Sequence, residues 1–280
     1  KTQKVANGST LSDIFSSFNL KMEHGPVSAK VNNKVEGMHY RVYNNKDIEF
    51  LDMRTSSGSR AYTRTLFFVL CKAVQDLYPG HDVVIDIPVS NGFYVDVRLE
   101  RDVTAEDVDC IRKRMQEIVD TRMPIRRYMV PTEDAIALFE EKGDVEKVKL
   151  LRTSGSLYTT YYKIGEYVDF YYGTLLTNTS QLYLFGLEKY YDGMLLRIPS
   201  LQNPDELGEV TRQDKMFEIF KEHHHWQDII GIRTVGDFNA AVDAGHATDV
   251  INISEAPQEK KITPAGKLTD QIFNNRTFNA

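Results

Sequence analysis

The short sequence motifs that are typical of catalytic and cofactor-binding sites do not occur in this sequence of 280 residues. The closest approach to a phosphate-binding loop is Pro264-Ala265-Gly266-Lys267, but Leu268 follows the lysine and Lys261 occupies the place of the first glycine. A phosphate cradle needs glycine amides at a turn from strand to helix. Dinucleotide, metalloprotease and nucleophile-elbow motifs are also lacking. The sequence therefore predicts no catalytic and no cofactor-binding residue.

The residue types that bind metals do not form a ligand set either. The triplet His223-His224-His225 falls in a helical pattern, where neighbouring side chains point about 100° apart and cannot converge on one ion. We interpret the triplet as a solvated helix face or a patch for a partner. Cys71 and Cys110, the two cysteines, occur among helix-periodic apolar residues and are predicted to be buried.

The arginines and the tyrosines form two further candidate binding regions, and each region has a functional and a structural interpretation. The basic residues between positions 112 and 127 would contact phosphate or form a solvated face. The tyrosine-rich strands would stack on bases or pack in the core; they contain Tyr158, Tyr161, Tyr162, Tyr167, Tyr171 and Tyr172.

Charge and hydropathy argue against two classes of protein, a generally basic nucleic-acid binder and a membrane-spanning protein. The net charge is -6, with 34 basic and 40 acidic residues, which argues against a nucleic-acid binder that is basic throughout. No apolar run is long enough to span a membrane, and no signal segment follows the first residue, Lys1. We therefore expect a fragment of a cytoplasmic protein without membrane contact.

Periodicity predicts an α+β fold in three parts. Residues 1–52 are expected to form a ubiquitin-like β-grasp module, whose helix Ser9–Phe18 packs through Leu11, Ile14 and Phe15. Residues 53–200 combine long helices with hairpins, which favours a mostly antiparallel sheet. Residues 201–280 are expected to be a helical linker.

The ordered motifs resemble parts of aminoacyl-tRNA synthetases. Residues 32–34 and 48–52 are similar to the TGS module, the ubiquitin-like domain that opens threonyl-tRNA synthetases. The second additional domain of threonyl- and alanyl-tRNA synthetases, which edits mischarged tRNA, resembles residues 73–80, 91–96, 104–107 and 165–173. This resemblance implies a synthetase-editing-like α+β domain after the β-grasp module.

The editing motifs of that family, H-x-x-x-H on a helix and a later C-x-x-x-H, are replaced in this chain. The matching positions on the helix are Arg60 and Arg64, or Arg64 and Phe68 if the register shifts by one turn, and those of the second motif are Tyr171 and Leu175. Arginine and leucine do not bind zinc, so we expect neither a metal nor editing chemistry. The resemblance implies a pocket that suits a small anionic or nucleoside ligand, unless an internal Arg–Asp salt bridge fills it; its candidate residues are Arg60, Arg64, Asp96, Asp169 and Tyr171.

Residues 190–199, 213–217, 222–226 and 235–239 resemble the N-terminal region of a family of bacterial uridine kinases. The segment 254–262 resembles the helix before their kinase domain, although Pro257 and Pro264 interrupt it. This resemblance implies a non-catalytic accessory region, partnered by a C-terminal kinase domain of the same polypeptide that uses ATP and Mg²⁺. The alternative is a module that binds RNA or tRNA, or edits aminoacyl-tRNA.

Overall fold

The computed structural model describes residues 2–248 and 250–252. The chain separates into two compact units. Unit 1 runs through Met129 and resumes over Thr160–Asp214, and unit 2 contains Val130–Thr159 and the described residues from Lys215 onward. Within these residues no helix is both long and apolar enough to cross a membrane.

The first module has the predicted β-grasp arrangement. Strand β2 lies between β3 and β5, antiparallel to both, and β1 pairs with β4. Helix α1 begins at a capping box in which Thr10 and Asp13 satisfy each other's backbone amides. Its Leu11 and Ile14 are buried against the sheet, and Phe15 packs beside them. The elements are β1 (Ser9–Thr10), α1 (Leu11–Ser17), β2 (Ser28–Val31), β3 (Lys34–Glu36), β4 (Arg41–Val42) and β5 (Ile48–Leu51).

The rest of the described chain alternates helices and strands. It contains α2 (Ser56–Leu77), β6 (Val83–Val89), β7 (Gly92–Val97), α3 (Ala105–Asp120), β8 (Arg126–Pro131), α4 (Thr132–Glu141), α5 (Val145–Arg152), β9 (Tyr158–Ile164), β10 (Tyr167–Phe170), the short 3-10 helix Thr179–Gln181, β11 (Gly186–Tyr190), β12 (Gly193–Arg197), α6 (Asp214–Ile230) and α7 (Val235–Asp243).

Two sheets follow the β-grasp module. One is a four-stranded antiparallel sheet in the order β11-β12-β7-β6, and the other is three-stranded in the order β10-β9-β8. The turn between β6 and β7 has positive φ at Ser90 and Asn91, as a tight hairpin requires. Helix α2 supplies much of the core, and its buried Tyr62 donates a hydrogen bond to the Leu184 carbonyl at 2.8 Å. The α+β class with mostly antiparallel sheets is thus confirmed.

Unit 2 consists of α4 and α5, which pack against each other, with α6 and α7 after them. Helix α7 starts at a capping box of Thr234 and Asp237. Asp237 also accepts a hydrogen bond from Lys149 Nζ of α5 at 2.5 Å. The predicted helical C-terminal segment is therefore present as far as residue 252, and the limits predicted at residues 52 and 200 stay predictions.

One local expectation, the burial of both cysteines, fails for an identifiable reason. Cys110 is exposed, because it lies on the solvent face of α3, whereas Cys71 is partly buried. The expected helix over 254–262, with Pro257 and Pro264, lies outside the described residues.

Candidate functional site

Two arginines of α2 lie one helical turn apart and face the same side. Arg60 is exposed and donates from Nε to the Ser56 carbonyl at 3.1 Å, while Arg64 is half-buried. Burial lowers the pKa of Arg64, and the positive charge of Arg60 adds to this effect. Neither guanidinium forms an ion pair with a carboxylate of the described chain. The charge of this arginine pair is therefore not balanced by a neighbouring acid.

The guanidinium of Arg64 packs on the backbone of Gly173. A Cβ atom at Gly173 would lie 2.7 Å from Arg64 Nη1, and its φ of +113° also favours glycine. The Gly173 carbonyl accepts a hydrogen bond from the hydroxyl of buried Tyr162 at 2.9 Å. Burial raises the pKa of Tyr162, while the positive charges of Arg127 and Arg64 act in the opposite direction. Tyr162 thus lies in the field of both arginines, which come from different elements.

Asp169 lies at the centre of a second, buried group. Its carboxylate accepts hydrogen bonds from the Phe170 amide at 2.6 Å and from the Tyr167 hydroxyl at 3.1 Å. Burial and the negative charge of Asp169 raise the pKa of Tyr171 well above its usual value, and Cys71 contributes in the same direction. For Tyr167 the pKa is raised by burial first, then by Cys71 and Asp169. Both tyrosines therefore stay protonated and serve as donors to the carboxylate.

The structure brings the predicted pocket residues together in two groups rather than one. Arg64 packs on Gly173 with Arg60 one turn away on α2, and Tyr171 hydrogen-bonds to Asp169. Asp96 lies on β7 opposite Val84, in the four-stranded sheet, whereas Asp169 belongs to the three-stranded sheet. The alternative of an internal Arg–Asp salt bridge is not realised by either arginine within the described residues.

Sequence reasoning did not assign Tyr162, Arg127 or Cys71 to the site. Arg127 was noted only as part of a basic stretch, and Tyr162 only as one of several tyrosines. A stronger signal was available at Gly173, because a glycine beside aromatic strands often allows a side chain to approach the backbone closely.

The positions that match the synthetase motifs do not fit a metal ion. Arg60 and Arg64 are cations, and Leu175 is fully buried without any donor atom. The expectation of no metal here stays a prediction. Elsewhere in the described chain, ligand atoms of Glu23, His24 and Asp205 lie within 4.8 Å of one another.

The Glu23–His24–Asp205 group already has partners within the protein. His24 Nε2 lies 2.8 Å from Asp205 Oδ1, and Arg54 pairs with Glu23 at 2.6 Å. The His24 ring also stacks on Tyr183, with centroids 3.8 Å apart. These contacts hold the three side chains together, but His24 Nε2 is buried and makes no hydrogen bond of good geometry within the described residues.

Comparison with known proteins places the chain near the threonine–tRNA ligases. It is 30% identical over 233 residues to the threonine–tRNA ligase of Syntrophotalea carbinolica, which covers 79% of this chain and 36% of the relative. The ligases of Marinobacter nauticus and Acetivibrio thermocellus are each 29% identical over 181 residues, covering 64% of this chain and 28% of the relative. The chain thus spans about a third of the length of these relatives. No family model matches it.

These relatives overturn the expectation of an accessory region in a uridine kinase, which is wrong. Residues 190–199 carried part of that resemblance, but they complete β11 and form β12. Strand β12 lies between β11 and β7 inside the four-stranded sheet. Because the kinase relationship is wrong, there is no longer a reason to expect a kinase domain with ATP and Mg²⁺ as a partner. The expectations of no cofactor in this chain and of a small anionic or nucleoside ligand stay predictions.

Proposed function

We propose that this chain is a tRNA-binding module related to part of the threonine–tRNA ligases, with the Arg60–Arg64 pair as an anchor for RNA phosphate. The similarity to a threonine–tRNA ligase extends over 79% of the chain. The observation that carries the proposal is Arg64, a half-buried guanidinium that has no carboxylate partner among the described residues.

A bound phosphate group would balance the charge of the Arg60–Arg64 pair. Removing a guanidinium from water is costly unless an anion compensates it, and a second cation one turn away increases that cost. A phosphate group fits the planar fork of an arginine through two parallel hydrogen bonds. Because the net charge of the chain is -6, RNA is attracted only where basic residues cluster. The arginine pair, with Arg127 near Tyr162, is such a cluster.

The proposal concerns binding and not hydrolysis. The positions that match the editing motifs offer Arg60, Arg64, Tyr171 and Leu175, which include neither an imidazole nor a thiol. The raised pKa of Tyr171 also keeps its hydroxyl protonated, so it is not a general base. A tRNA-binding role agrees with the cytoplasmic location expected from the sequence.

Replacing Arg64 with alanine is expected to weaken tRNA binding about ten-fold, since one desolvated phosphate contact is lost. The slope of log affinity against log salt concentration should also fall by about 1, as expected for one fewer phosphate contact. The measurement is fluorescence anisotropy of labelled tRNA at four salt concentrations. Arg64→Lys keeps the charge but loses the planar fork of the guanidinium. Its affinity for tRNA should lie between those of the wild-type chain and Arg64→Ala.

Arg112→Ala is the matched control, because Arg112 is exposed on α3 and paired with Asp109 at 2.7 Å. It should leave both the affinity and the salt slope nearly unchanged. Thermal melting of each variant verifies folding. Equal binding by the wild-type chain and Arg64→Ala at every salt concentration would refute the anchor, and no tRNA binding by the wild-type chain at low salt would refute the function.

A further inference from the structure

The Glu23–His24–Asp205 group brings an imidazole and two carboxylates together within unit 1. Glu23 and His24 lie in the loop between α1 and β2, and Asp205 lies in the loop after β12. One ligand atom of each residue is within 4.8 Å of the other two. Two ligands of a tetrahedral zinc ion, each about 2.0–2.2 Å from it, lie roughly 3.5 Å apart. Rotation of the side chains would therefore close the group on one ion.

The nitrogen of His24 is placed beside a carboxylate without bonding to it. Nε2 lies 2.8 Å from Asp205 Oδ1, but it makes no hydrogen bond of good geometry and is buried without another partner among the described residues. A hydrogen bond needs the N–H to be directed at the oxygen. Two ligands of one metal ion are both directed at the ion instead, and they lie about 3–3.5 Å apart without bonding to each other. The arrangement of Nε2 and Oδ1 is close to that of such a pair.

The imidazole is fixed, whereas the two carboxylates can adjust. The His24 ring stacks on Tyr183 with centroids 3.8 Å apart and planes 6° from parallel. The side chains of Asp205 and Glu23 are 57% and 56% exposed, so both can rotate to admit an ion to Nε2. The ion would bind at about 2 Å from the nitrogen, in a space that is too small for a water molecule.

The charges around the group leave room for a divalent cation. Arg54 lies 2.6 Å from Glu23 Oε2 and 3.8 Å from Asp52 Oδ2. Burial raises the pKa of Tyr183 to about 12, and the negative charge of Asp205 is the next cause. Three carboxylates thus surround one guanidinium, which leaves two negative charges when His24 is neutral. Because Arg54 is 53% exposed, its pairing with Glu23 is weak enough for a metal ion to displace it.

We infer that Glu23, His24 and Asp205 form a zinc site, in which His24 Nε2 and one oxygen of each carboxylate bind the ion and a fourth position is left for water. In the neutral ring that binds through Nε2, the proton lies on Nδ1. The ion joins the loop after α1 to the loop after β12 and so stabilises unit 1. The inference is independent of the proposed function, since it involves neither tRNA nor the Arg60–Arg64 pair.

The test is isothermal titration calorimetry of the untagged full chain with zinc chloride, after treatment with a chelator. One zinc ion should bind per chain and raise the melting temperature, because a ligand of the folded state stabilises it. His24→Phe keeps a ring for stacking on Tyr183 but has no nitrogen. It should weaken zinc binding at least about 100-fold, more than the loss of a group that only supports a ligand.

Asp205→Asn should weaken zinc binding at least about ten-fold, because a neutral oxygen replaces a charged one. Glu206→Gln is the matched control, since Glu206 is an exposed neighbour outside the group, and it should bind zinc like the wild-type chain. Mg²⁺ should bind much more weakly than Zn²⁺, because it prefers oxygen ligands in an octahedral shell.

Arg54→Ala is expected to tighten zinc binding about five-fold, since the cation that competes for Glu23 is removed. A folding defect cannot produce this gain. Arg112→Ala, which removes a paired arginine on α3, should cause no change. Zinc binding by His24→Phe equal to that of the wild-type chain would assign the ion to other residues and overturn the inference. Absence of zinc binding by the wild-type chain, no gain in Arg54→Ala, or Mg²⁺ binding as tight as Zn²⁺ binding would also overturn it.

Discussion

Replacing Gly58 with alanine is expected to lower the free energy of unfolding by about 4 kcal/mol or more, at the upper end for single substitutions. Gly58 lies in the first turn of α2, where the added Cβ would be 2.7 Å from Val27 Cγ2 and 2.8 Å from the Asp52 carbonyl carbon. The Asp52 oxygen lies closer still. Because two of these three atoms belong to the backbone, the clash is relieved only by moving the start of the helix.

The measurement is unfolding in urea, followed by far-ultraviolet circular dichroism. Ser56→Ala is the control, because Ser56 is exposed in the same turn, and it should change stability by less than about 0.5 kcal/mol. Arg60 and Arg64 lie in the next two turns of the same helix. A displaced start of α2 would therefore also weaken tRNA binding. A loss in Gly58→Ala below about 1 kcal/mol would show that the contact with Asp52 is not rigid.

Elements specified by neighbouring residues were predictable from the sequence. The capping boxes at Thr10 and Thr104 start α1 and α3, and the turn at Ser90-Asn91 joins β6 to β7. In each case residues three or fewer positions apart determine the backbone. Strand β12 was not predicted, since it depends on pairing with β7 and β11. Helix α5 was also not predicted, although the Asp144 side chain caps it locally by accepting a hydrogen bond from the Lys147 amide.

The candidate site was predictable only in part, for the same reason. The i and i+4 spacing on α2 places Arg60 beside Arg64, and Tyr171 follows Asp169 closely enough to share a face. The approach of Arg64 to Gly173 and the separation of Asp96 from Asp169 depend on which strands form which sheet. Periodicity does not contain that information, and it equally allowed residues 190–199 to be taken for part of another family.

Asp107 is expected to be the most important single carboxylate for stability, and Asp107→Asn should cost about 3 kcal/mol near neutral pH, from the loss of a helix cap and of charge-assisted hydrogen bonds. The buried carboxylate accepts from Arg101 at 2.6 and 2.8 Å, from the Tyr78 hydroxyl at 2.7 Å and from the Thr104 amide at 2.8 Å. It therefore ties the end of α2 to the start of α3. Asparagine offers one acceptor oxygen and no charge, so it cannot replace these bonds.

The same contacts make this contribution dependent on pH. Arg101 above all, with Thr104 and Tyr78, holds the pKa of Asp107 well below its ordinary value of 3.8. As pH falls below 3.8, the unfolded chain therefore binds a proton at this position that the folded chain does not. The stabilisation is complete above that value and is lost as pH falls toward the lower pKa of the folded state. The stability difference between the wild-type chain and Asp107→Asn should thus shrink between about pH 6 and about pH 2.

Urea unfolding across this pH range measures the stability difference. The control is Asp109→Asn, since Asp109 is an exposed neighbour paired with Arg112. A difference that stays constant down to about pH 2 would mean that the charge of Asp107 contributes nothing and that its hydrogen-bond geometry alone stabilises the junction.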